Sequence, residues 1–163
     1  MKRHVIITRK ASRAIREHIL KVDCNYETGG ILIGYRLCKV YFIVAVTISD
    51  KADGSSKVSF FLNGVEHMRK VNDIISCFRC PPSVLGIWHS HILDGHNFSE
   101  QDKTSNRILA KELNGTLSML VTKRHVQGVT LSISYISTTG VETSCNVIAF
   151  SKELEEIALY ERK

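Results

Sequence analysis

Runs of β-branched and aromatic residues alternate irregularly with stretches of helical period along most of the chain, and this interleaving sharply narrows the possible architectures. Val5 to Thr8 reads as a short strand, and Ala11, Ile15, Ile19 and Val22 then recur at helical spacing, which predicts a helix from about Lys10 to Val22. Ile31 to Tyr35 and Val40 to Ile48 are β-branched and aromatic with a short link, the pattern of a hairpin. Val58 to Leu62 is a candidate third strand. Asn63 to Phe78 carries Val65, Met68, Val71, Ile74 and Ile75 near helical period and stops before Pro81-Pro82, where a helix must end. Val84 to His91 is mostly apolar and polar only at its C-terminal end. A third helix is expected over Ser99 to Leu113, closed by Asn114-Gly115. Thr116 to Thr122, Val129 to Ser137 and Val141 to Phe150 read as strands, and Lys152 to Glu161 as a charged terminal helix. The hairpins require antiparallel pairing, so the expected class is α/β of the mixed-sheet kind, or α+β, with a mostly antiparallel sheet flanked by helices.

With 163 residues the chain suits one domain, 1–163, and its 2 prolines and 10 glycines carry no compositional sign of long disorder. The first twenty residues break their apolar pieces with charges, a pattern of neither a signal peptide nor a membrane span, so a cytoplasmic protein is expected. Cys24, Cys38, Cys77, Cys80 and Cys145 are odd in number and scattered, which fits reduced thiols better than a disulfide framework. Cys77 and Cys80 form one C-x-x-C without a second pair or a histidine at finger spacing, so no metal or redox role is assigned to them. The net charge of +6 comes from short dispersed basic groups without interleaved aromatics, a solvated surface rather than a nucleic-acid interface.

His89 and His91 stand two apart on a predicted strand, so both imidazoles project to one face and can reach one ion. Asp102 follows in the first turn of the third helix, near enough to supply an oxygen. Three protein ligands of this kind leave zinc's fourth position open, the arrangement of a catalytic rather than a structural site. Such chemistry needs a carboxylate to shuttle a proton, and Glu27, beside Gly29 and Gly30 at the entry to a strand, is the candidate. Ser99 could donate a hydrogen bond to an oxyanion. Ser99 and Asp102 also fit a capping box, which by itself needs no metal.

Taken together, a glutamate, a long gap, His89-Ser90-His91, seven residues from Ile92 to Phe98, then Ser99-x-x-Asp102 resembles the JAMM motif of the JAB/MPN-plus zinc metallopeptidases. The setting is similar too, in the run Glu27 to Gly34 and in Gly86-Ile87-Trp88 ahead of the histidines. The resemblance covers about residues 5 to 150. It implies a JAB/MPN domain of cytidine-deaminase-like architecture, one Zn2+ per chain held by His89, His91 and Asp102, Glu27 as acid/base and Ser99 as oxyanion donor, with Ser90 in a supporting hydrogen bond. Two departures stand out: Ile92 replaces the proline that often follows the second histidine, and Asp94 and His96 add further titratable groups to the loop.

Members of that family resemble proteases for ubiquitin-like modifiers, cutting at the modifier's C-terminus, and this chain lacks room for the insertions of the large linkage-specific deubiquitinases. It is similar to compact bacterial and archaeal members, many of which accompany E1/E2-like or nucleotidyltransferase proteins in operons that include antiphage systems. The resemblance thus implies a modifier or conjugated protein tail as partner, and neither nucleic acid nor membrane. Two other readings share the fold: a peptidase for a small sulfur-carrier protein, and a non-catalytic MPN scaffold, which typically loses the ligands kept here.

Overall fold

A computed structural model describes residues 2–22, 26–49, 54–55, 60–61, 64–91, 98–124 and 128–149. Strand β1 (His4–Ile7) leads through Thr8 into α1 (Arg9–Lys21), whose first turn is capped by the Thr8 hydroxyl accepting from Ala11 N–H at 3.2 Å. Ala11, Ile15 and Ile19 are buried, which places the helical stripe read from the sequence against the sheet. β2 (Gly29–Leu37) and β3 (Val40–Val46) form the expected hairpin, pairing antiparallel with a bulge between Ile33 and Gly34. A Cβ on Gly34 would stand 1.8 Å from the Phe42 carbonyl oxygen, so the close approach of the two backbones depends on glycine there.

β4 (Gly54–Ser55) and β5 (Phe60–Phe61) make a separate two-stranded ribbon, within the reach of the strand expected over Val58 to Leu62. α2 (Gly64–Ser76) ends ahead of Pro81 and lays Val71 on Ile31 and Ile33 in a small second core. β6 (Ser83–His91) pairs antiparallel with β2 and parallel with β7 (Thr116–Arg124), between which runs α3 (Glu100–Glu112). α3 closes as the sequence implies: Asn114 and Gly115 have φ of 52° and 92°, and Gly115 N–H donates to Ala110 O at 2.7 Å.

β8 (Gly128–Ile136) follows β7 antiparallel, and the described residues finish in β9 (Glu142–Ser144) and β10 (Asn146–Ala149). The long strand expected over Val141 to Phe150 is therefore divided. At Cys145 it changes partner: Cys145 N–H donates to Ile133 O on β8 at 2.9 Å, and the next amide, Asn146 N–H, donates to Arg3 O beside β1 at 2.9 Å. The sheet order is β10-β1-β3-β2-β6-β7-β8-β9, so this one segment joins the two ends and the sheet returns on itself. Arg3 lies over the Tyr135 ring at 3.5 Å across that seam. The main core gathers Val5, Ile15, Ile43, Trp88, Leu117 and Met119, all fully buried. The mixed, mostly antiparallel sheet with α1 on β3, α2 on β2 and α3 on β7 and β8 agrees with the class expected from the sequence. Among the described residues no helix is long and apolar enough to cross a membrane. The helix expected over Lys152 to Glu161, Cys24, and the loop residues Ile92, Asp94 and His96 lie outside the described residues.

Candidate metal centre

β6 is covered on both faces until it reaches the sheet's edge, and there it delivers His89 and His91 to the same side. His89 is buried and His91 partly so, with their Nε2 atoms 3.2 Å apart. α3 begins beside them. Ser99 is its N-cap in a complete capping box: the Ser99 hydroxyl accepts from Asp102 N–H at 3.1 Å, and Ser99 N–H donates to Asp102 Oδ2 at 2.8 Å. The cap therefore fixes the rotamer of Asp102 as well as the start of the helix. Asp102 Oδ1 lies 3.4 Å from His89 Nε2, and Oδ2 lies 3.4 Å from His91 Nε2.

Three donors at tetrahedral angles about a common centre with bonds of roughly 2.0–2.1 Å stand about 3.3 Å from one another. The imidazole nitrogens, 3.2 Å apart, are near that spacing, each lies 3.4 Å from a different oxygen of Asp102, and one donor atom from each residue lies within 4.8 Å of the other two, close enough to share one ion. Two imidazole nitrogens facing each other and a carboxylate are a donor set for a divalent cation. Partial burial works to raise the Asp102 pKa, but hydrogen bonds from His89, His91 and Ser99 outweigh it and hold the carboxyl well below the usual range, so a charged ligand is ready.

Glu27 enters from the neighbouring strand. Ser90 N–H donates to Thr28 O at 2.7 Å, and Thr28 N–H donates to Ser90 Oγ at 3.0 Å. The residue after Glu27 is thus clamped to the residue between the two histidines. Partial burial pushes the Glu27 carboxyl upward, opposed by His91 and His89 and aided by the negative charge of Asp102. The charges of all three candidate ligands act on the Glu27 carboxyl.

The profile described as prokaryotic homologs of the JAB domain matches residues 8–139. The chain belongs to that family. Among solved structures it is similar to the solution structure of protein DSY2949 from Desulfitobacterium hafniense, at 20% identity over 91% of this chain and 94% of that one, with a TM-score of 0.69, a likeness of fold. No curated protein matches the chain.

Within this JAB domain, further residues that the sequence reading missed hold the site. The Thr28 hydroxyl meets His18 Nε2 at 2.7 Å and also the Ser49 hydroxyl, so α1 and the end of β3 brace the residue next to Glu27. Burial lowers the His18 pKa, and the ring packs edge-on against Trp88 at 6.1 Å. Trp88 Nε1–H donates to Thr47 O at 3.0 Å, beside Gly30, where a Cβ would come within 2.0 Å of that same oxygen. Gly30 therefore serves close packing of strand on strand. Phe98 packs its ring, tilted by 48°, against His89 at 5.9 Å. His18 sits one residue before a core position of α1 and Phe98 just before the cap, and neither carries a sequence signal for these contacts.

Proposed function

We propose that the chain is a zinc-dependent peptidase of the JAMM type, acting on the C-terminal tail of a ubiquitin-like modifier or of a protein conjugated to one. The carrying observation is the convergence of His89, His91 and Asp102, whose donor atoms lie within 4.8 Å of one another. Those three residues would hold zinc, which when bound supplies a Lewis acid that polarises water and the scissile carbonyl. Glu27, with its pKa raised by burial, accepts a proton from the attacking water and returns it to the leaving nitrogen. The Ser99 hydroxyl donates to Asp102 Oδ2 at 2.6 Å, and a rotation about its Cβ–Oγ bond redirects that proton to the oxyanion. An intact ligand set favours an enzyme over a non-catalytic scaffold. Cytoplasmic deconjugation, within an antiphage operon, is the setting that agrees with the compact domain; processing of a sulfur-carrier protein would use the same residues.

The test is purification with measurement of bound zinc, followed by cleavage assays on C-terminal fusions of ubiquitin-like proteins. Wild-type protein should bind one zinc and cut. Glu27→Ala should keep the metal and lose turnover by roughly 100-fold or more, while Asp102→Ala should weaken both. Failure of wild-type protein to take up stoichiometric zinc would sink the enzyme reading.

A further inference from the structure

A groove of about 550 Å³ runs between α3 and strands β8, β9 and β10. It lies next to the candidate site: its lining includes Phe98, whose ring is tilted against His89 at 5.9 Å, Leu120, the register partner of His89 on β7, and Lys103, the residue after Asp102. Ser132, Ser134 and Ser144 line it further along. At Lys103 and Glu142 it meets a second hollow of about 250 Å³, bounded by Asn106, Arg107, Ile136 and Gly140. The two share those charged residues and form one path.

Asn106 marks the end of the path as built for a ligand. It is 2% exposed, and its Oδ1 has no hydrogen-bond partner among the described residues. An unpaired buried acceptor costs roughly 1–3 kcal/mol, so it is a poor choice for a residue with only a packing role. Asn106 follows Asp102 by one helical turn on the same side of α3. That is a distance of about 6 Å, the length of about two extended residues.

We propose that this groove seats the main chain of the substrate in an extended form on one side of the scissile bond, with the Asn106 carboxamide accepting a backbone N–H. The inference rests on the peptidase reading given above. Its lining suits a peptide backbone better than a fixed side-chain sequence. Serine hydroxyls and Glu142 accept from N–H groups, and Lys103 and Arg107 donate to carbonyls. Lys103 also pairs with exposed Glu100 at 2.6 Å, so the charges around the groove balance and select no sign of side chain. A flexible tail long enough to pass Asp102 and reach Asn106 is the occupant, and a dipeptide is too short.

The experiment uses full-length protein with Asn106→Leu as the variant. Leucine fills similar space and removes the orphan acceptor, so its thermal unfolding should match or exceed that of the wild type. In metal-free protein, amide NMR shifts on titration with a hexapeptide of alternating alanine and glycine should cluster at Asn106, Ser132, Ser134 and Glu142. The corresponding dipeptide should leave them unmoved. Asn106→Leu should weaken hexapeptide binding about fivefold, the share of one hydrogen bond. In zinc-loaded protein it should raise KM for a hexapeptide-length substrate by a similar factor and leave kcat within about twofold, the signature of lost uniform binding. Shifts that cluster elsewhere, or equal hexapeptide affinity in the variant, overturn the groove. A hexapeptide that is cut with the same KM by both proteins also overturns the groove and leaves the peptidase standing. A hexapeptide that seats in the groove but is never cut overturns the peptidase reading alone.

Discussion

Ser90 lies between two histidines and touches neither; its work is done on the adjacent strand. Because its hydroxyl is the acceptor for Thr28 N–H, Ser90→Ala leaves a buried donor unpaired, at a cost of about 1–3 kcal/mol. Chemical denaturation should show that loss, and Ser90→Thr should recover most of it. His18 adds a pH dependence. Its folded pKa lies below the usual imidazole value, so the unfolded chain binds its proton first. Stability is then complete above about pH 6.5 and declines as pH falls through that value toward the lowered folded pKa. Urea midpoints between pH 7.5 and 5.5 should fall more steeply for wild type than for His18→Gln. At this scale the sequence made the group that could hold a metal legible, because His89-Ser90-His91 and Asp102 have unusual joint spacing. It left His18, Thr28 and Ser49 hidden, since contacts between residues far apart in sequence leave no local pattern.

The elements were legible wherever one period dominated. α1 and α3 form within a residue or so of the spans expected from apolar spacing and from the Ser99 cap, because local hydrogen bonding and one buried face decide them. The final strand was misread as continuous. Its change of partner at Cys145 is set by where β1 and β8 happen to end, which only tertiary pairing determines. The β2–β3–β6 packing also carries a prediction. With Thr47 O 2.0 Å and Trp88 Nε1 2.7 Å from an added methyl, Gly30→Ala must push strands apart or break the indole hydrogen bond. A destabilisation of about 1–3 kcal/mol is expected from overpacking. Its marker would be a red shift in the emission of Trp88, the chain's 1 tryptophan, and unchanged emission would show that the strands absorb the methyl in place.

For the whole molecule, a metal held by His89, His91 and Asp102 would tie α3 to β6. An ion that binds only the folded chain adds stability by mass action, about 2.7 kcal/mol at a hundredfold excess over Kd. For a chain of this size that corresponds to roughly 5–10 °C in Tm. Differential scanning fluorimetry with zinc and with a chelator should reveal that difference in wild type and abolish it in His89→Ala. A Tm indifferent to zinc would argue against a folded-state site.

The partner switch at Cys145 bears on how the chain is made. β1 is synthesised first, yet one of its two neighbours, β10, pairs with it from the opposite end of the sequence, His4 facing Asn146. While the ribosome is still producing the later strands, that side of β1 has no β10 to cover it. Native enclosure of β1 therefore waits until β10 has been made. Until then the nascent chain offers an open strand edge, the sort of surface on which chaperones and misassembly compete.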